Sequence, residues 1–212
     1  MNVSAVIAVL LTFLTGCSAV GGRVERPVPL VVLDTTCGWH GAAASDAIDV
    51  DRPVDWSAFV CYDAPVPYTL ADIDTSLFSW RIARDVEQRY RDVGIDLTVV
   101  AGEVADAPAE ALLVVVTDGY QEHHTNHLGW ALIGGPHGLV YASRLAIYGG
   151  MLYPGLHDDD AVMTWSTIIG NIVAHEVGHL LGWCHKDCGP PCELMGVKVA
   201  DLNKRWEIYC GQ

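Results

Sequence analysis

The chain has 212 residues, 51% of them hydrophobic and 18% charged, which is enough for one sizeable core and a small appended segment. Its formal net charge is −14, from 12 Lys and Arg against 26 Asp and Glu. This balance argues against a nucleic-acid partner, which needs clustered Lys and Arg, and against electrostatic attachment to anionic lipid.

The chain opens on Val3 to Leu14, "VSAVIAVLLTFL", a short apolar run followed by "LTGCSAV". An apolar run of this length suits a secretory signal better than a membrane-spanning helix. Leu14-Thr15-Gly16-Cys17 resembles a bacterial lipobox, although Met1-Asn2 carries no Lys or Arg. The resemblance implies a signal peptide over 1–16, cleavage before Cys17 and lipid on that cysteine. It also implies an exported protein anchored to the cell envelope, at the outer membrane in a diderm bacterium, with which Ser18 is compatible. An ordinary cleaved signal and an uncleaved anchor are the alternatives.

Residues 17–27 read as a tether. "VPLVVLDT", Val28 to Thr35, is a β-branched apolar run and predicts a strand. Residues 36–69, rich in Gly, Ala, Asp and Pro, predict an irregular excursion. The next segment has Ile73, Leu77, Trp80, Ile82, Ala83, Val86, Tyr90 and Val93 at mostly three- and four-residue spacing. It predicts an amphipathic helix that ends near Gly94. Ile95 to Val100 and Ala111 to Asp118 predict two strands, the second buried. Residues 119–136 hold Gly119, Gly129, Gly134, Gly135 and Pro136 and predict a loop. Gly138 to Tyr148 predicts a further strand, or two.

After Pro154-Gly155, the acids Asp158, Asp159 and Asp160 suit a helix N-terminus. The helix should run from about Ala161 to Leu181. It is apolar nearly all round, hence buried, and Gly182 should stop it. "VADLNKRWEIYC" predicts a last short helix. The order of elements is α/β, in one main domain over 28–212.

That buried helix carries "HEVGHLLGWCH". His175 and His179 stand at i and i+4, one above the other on one face. Both imidazoles can reach one tetrahedral zinc at roughly 2.0–2.1 Å. Gly182 lets the chain turn so that His185 joins them. Three protein ligands leave a fourth position open for water, the mark of a catalytic site. Zinc lowers the pKa of that water towards about 7 and polarises a carbonyl. Glu176, rotated off the ligand face, suits a general base that passes the proton to the leaving amine. A helix with buried, backbone-bonded histidines explains the spacing less well.

The stretch matches the extended motif of the metzincin metalloproteases at His175, Glu176, His179, Gly182 and His185, and it resembles that clan. Met195, ten residues after His185, stands where the clan has a methionine in a tight turn beneath the zinc. The resemblance implies a twisted mixed sheet of four to five strands with a backing helix, an active-site helix and a C-terminal helix. It implies an endopeptidase with one catalytic Zn2+. It also implies that the strand near Leu139 to Arg144 is the edge that takes an extended protein or peptide substrate. The subfamily stays open. Lys186 follows His185, where astacins usually have Glu, matrixins Ser and adamalysins Asp. No Tyr stands two residues after Met195. Cys188 and Cys192, with "GLVYASRL", resemble the archaemetzincins, although a further C-x-x-C is missing. A non-catalytic zinc-binding surface lipoprotein and a narrow peptidase of small peptides are the competing functions. The chain is expected to be a monomer.

With Cys17 lipidated, Cys37, Cys61, Cys184, Cys188, Cys192 and Cys210 remain. An even set in an oxidising compartment reads as up to three disulfides. Cys37 with Cys61 is the local pair, which a free Cys37 thiol in a peptide map would refute. The other four would brace the Met195 loop as two bridges. Cys37 as a latency plug on the zinc fits less well, because the residues around it do not match the known motif. His123, His124, His127, His137 and Asp118 read as loop residues before a second structural zinc or calcium. Capping explains Asp158 to Asp160 before calcium does.

Overall fold

A computed structural model describes residues 27–35, 54–61, 68–72, 74–103, 106–118, 127–142, 144–146, 158–185 and 194–195. The expected signal peptide and C-terminal helix fall outside the described residues, as do Cys17, Cys37, Cys188, Cys192, Cys210, His123, His124 and the side chain of Cys61. Among the described residues, no helix is long and apolar enough to cross a membrane.

The fold is α/β, as expected. Strands β1 (Leu30–Asp34), β4 (Thr98–Ala101), β5 (Leu112–Thr117), β6 (Gly129–Ala131) and β7 (His137–Tyr141) form one five-stranded sheet in the order β4-β1-β5-β7-β6. The first four in that order are parallel, and β6 pairs antiparallel with β7. Two long helices among the described residues, α1 (Thr75–Asp92) and α2 (Asp158–Leu180), pack with it. Val31, Leu33, Val99, Val114, Val116 and Val140 of the sheet join Ile82, Val86, Trp165, Ile169 and Val173 of the helices in one core. Val32, Val115, Leu139 and Tyr141, at the alternate positions, are buried as well. The runs are therefore continuously apolar, as a mainly parallel sheet requires.

Four expectations need correction. First, the interval 119–136 is not all loop, because it contains β6. Second, β7 is interior, so the antiparallel edge is β6 and not the strand near Leu139 to Arg144. The run beyond Tyr141 is helical at residues 142 and 144–146. Third, the excursion 36–69 contains regular structure among its described residues. It holds a 3-10 turn at Trp56–Ala58 and a two-stranded antiparallel ladder of β2 (Val60–Cys61) and β3 (Tyr68–Thr69). Its aromatics reach the core: Phe59 lies 4.8 Å from Trp165, and Trp56 lies 5.4 Å from Phe78, both edge to face. Two-residue strands are too short to show a period. Fourth, α1 buries Phe78, Ile82, Ala83, Val86 and Tyr90, whereas Leu77 and Trp80 are exposed. Both stripes satisfy helical spacing, and only packing chooses between them.

Asp74 caps α1, accepting from the Ser76 amide at 2.9 Å. The two helices are cross-tied by a buried polar group. Arg89 Nε donates to Asp85 Oδ2 at 2.8 Å, and its Nη1 donates to Asn171 Oδ1 on α2. Arg89→Ala should cost about 3 kcal/mol, since it removes the buried guanidinium that joins Asp85 to Asn171 across the two helices. Urea unfolding would read this, and a loss below about 0.5 kcal/mol would show the tie to be idle.

Candidate metal centre

Helix α2 presents His175 and His179 one turn apart, as their spacing requires. Gly182 takes φ of +91°, a left-handed conformation that suits glycine, and reverses the chain after the helix. This brings His185 back. The Nε2 atoms of His175 and His185 lie 3.0 Å apart, those of His179 and His185 3.1 Å, and those of His179 and His175 3.2 Å. Among the described residues this is the cluster able to hold a metal ion; Asp118, His127 and His137 form no second one.

The other ring nitrogens fix the tautomers. His175 Nδ1 donates to the Leu194 carbonyl, and His179 Nδ1 donates to the Trp183 carbonyl at 2.7 Å. A carbonyl only accepts, so each Nδ1 carries the proton and each Nε2 turns a lone pair to the centre. Burial lowers the His175 pKa to about 4, against a smaller upward push from the Leu194 carbonyl. Burial also lowers that of His185, helped by His179 and His127. Neutral rings are what a metal ion needs.

Leu194 and Met195 are buried in a turn under the helix. Met195 Sδ lies only 2.6 Å from where a Cβ on Gly178 would stand. The absence of a side chain at Gly178 is what lets the turn approach. Glu176 is 3% exposed, and burial raises its pKa well above the usual carboxylate value. Among the described residues, its Oε2 has no hydrogen-bond partner. Its Oε1 lies 2.4 Å from where a Cβ on Gly129 would stand, and its own Cβ lies 3.3 Å from that of a substituted Gly138. The carboxyl therefore rests against β6 at Gly129, and the Cβ of the same side chain against β7 at Gly138. The turn after β6 is docked on the same helix, with the Gly134 amide donating to the His179 carbonyl at 2.8 Å.

The structure thus brings together His175, Glu176, His179, His185 and Met195. Cys184 is exposed and, among the described residues, makes no disulfide. His127 lies near enough to His185 to depress its pKa, and His137 is in β7 rather than a loop. Sequence reading missed Gly129, Gly138, Trp183 and Leu194. A glycine in the short apolar run "HLGWALIGG" was the one available sign of a close approach at residue 129.

No family model and no curated protein matches the chain. Among solved structures, it is similar to a zinc-dependent peptidase from Methanocorpusculum labreanum. That similarity has a TM-score of 0.47 and 16% identity, and covers 86% of this chain and 96% of that one. It is also similar to archaemetzincin from Methanopyrus kandleri, with a TM-score of 0.46 and 14% identity, over 90% of this chain and 92% of that one.

Proposed function

We propose that the chain is a zinc-dependent endopeptidase, with His175, His179 and His185 as the metal ligands and Glu176 as general base. The convergence of three Nε2 atoms, 3.0–3.2 Å from one another, carries this reading. Three ligands of a tetrahedral zinc, each roughly 2.0–2.1 Å from the ion, stand about 3.3 Å from one another, so the donor set fits zinc. A bound zinc ion supplies an activated water and a Lewis acid for the scissile carbonyl.

The rest is the work of this chain's own residues. Leu194 and Trp183 hold two imidazoles in the binding tautomer through their carbonyls. Met195 forms the floor beneath them. Glu176 sits next to His175 and accepts the water's proton, then returns it to the leaving amine. A purely structural zinc site gains nothing from a buried carboxyl with a bare oxygen, and burying one costs free energy. That supports catalysis over metal storage. The edge strand β6 runs beside the base and, among the described residues, pairs with β7 alone, which supports binding of an extended peptide along its outer side.

Purified protein is expected to carry one zinc per chain and to cleave denatured protein. A chelator should abolish cleavage, and added zinc should restore it. An unbiased peptide library would then define the sites cut. Zinc-loaded protein that cleaves nothing on a broad panel would leave the non-catalytic lipoprotein as the better reading.

A further inference from the structure

Tyr90 is fully buried on α1, the helix that backs α2. Its hydroxyl donates to the main-chain carbonyl of Ala174 at 2.7 Å, one residue before His175. Its ring lies 5.6 Å from the Trp183 indole, with 41° between the planes. Both contacts therefore fall on the metal centre, one on each of its arms.

The helix arm holds His175 and His179. Ala174 lies inside α2, so its carbonyl already has a place in the helical ladder and does not need Tyr90. A phenylalanine would fill the same volume with no hydroxyl to satisfy. The hydroxyl adds a directional tie between α1 and the turn of α2 that carries His175.

The loop arm holds His185. Trp183 controls where that arm starts. Its amide donates to the Gly178 carbonyl at 2.9 Å, and its carbonyl accepts from His179 Nδ1 at 2.7 Å. Its Cε3 lies 3.2 Å from where a Cβ on Gly178 would stand, so the indole is pressed against the underside of the helix. Tyr90 packs on that same indole. His185 follows two residues later.

We propose that Tyr90 is a positioning residue for the metal centre. Its hydroxyl sets the seat of the helix arm, and its ring sets Trp183 and hence the reach of His185. It acts through Ala174 and Trp183, and the inference rests on the zinc reading above. Arg89 ties α1 to Asn171 independently, so losing the Tyr90 hydroxyl leaves the helix pair joined.

The test compares Zn2+ dissociation constants, by competition with a chromophoric chelator, for wild type, Tyr90→Phe, Tyr90→Leu and Phe78→Leu. Phe78 is a buried residue of the same helix, three turns away and packed on Trp56. The visible spectrum of the Co2+ form gives a second readout. Tyr90→Phe should weaken Zn2+ binding about two- to tenfold, the worth of one hydrogen bond. Tyr90→Leu should weaken it about 10–100-fold, as loss of a ligand's supporting contacts does, and should shift the Co2+ bands. Phe78→Leu should lower Tm but keep wild-type Zn2+ affinity. Wild-type affinity and spectrum in both Tyr90 variants would overturn the proposal. So would an equal loss of affinity in Phe78→Leu, which would show general destabilisation. If Tyr90→Leu does not fold, Tyr90→Phe decides alone. A wild-type protein that binds no Zn2+ is a separate result, which removes the zinc reading and this inference with it.

Discussion

Glu176→Gln is expected to lower peptide hydrolysis by about 10²–10⁴-fold while the protein keeps its zinc. The carboxamide has the shape of the carboxylate but cannot take a proton. It should cost the fold little. Glu176 is 3% exposed, its Oε2 has no hydrogen-bond partner among the described residues, and burial already disfavours its charged form. Removing an ionisable group from such a place leaves Tm unchanged or raises it. Rates on a quenched peptide, zinc content and a thermal melt together decide the matter. A wild-type rate would remove the base role. Loss of zinc with the rate would instead make Glu176 part of the metal-holding structure.

Gly129→Ala should reduce activity about 10²-fold and stability by about 1–3 kcal/mol, although residue 129 is far from the motif in sequence. A Cβ there would stand 2.4 Å from Glu176 Oε1 and 2.8 Å from the Leu139 carbonyl oxygen. Both distances are too short, and the second neighbour is backbone of the adjacent strand. Either the carboxyl swings away or β6 separates from β7. The loss should fall on kcat, because the reacting group is displaced. It should also be less than additive with Glu176→Gln, since both changes act through one carboxyl. Wild-type kcat in Gly129→Ala would show that the edge strand does not position the base.

The spacing of His175, Glu176, His179, Gly182 and His185 was legible because helix geometry is local. At 3.6 residues per turn, i and i+4 share a face whatever the rest of the chain does, and a glycine after the helix permits the reversal. The structure keeps that arrangement, with the three Nε2 atoms 3.0–3.2 Å apart. The buried helix α2, the β-branched strands β1 and β5, and the α/β class were legible on the same ground. The structure moved the bounds of several elements by a few residues, as with β4, which begins at Thr98 rather than Ile95.

Tertiary structure alone decided the rest. A three-residue strand such as β6 carries no period, and its place at the sheet edge depends on pairing with β7 across a turn. The burial of Phe78 over Leu77 and Trp80 depends on which stripe meets the sheet and α2. The carbonyls of Leu194 and Trp183, the glycine beneath Glu176 and the tyrosine behind Ala174 are backbone positions or distant side chains. No spacing rule reaches them, because long-range contacts form only when the whole core closes. The chain's own residues thus declared which groups could hold a metal, and the packed fold determined what holds those groups in place.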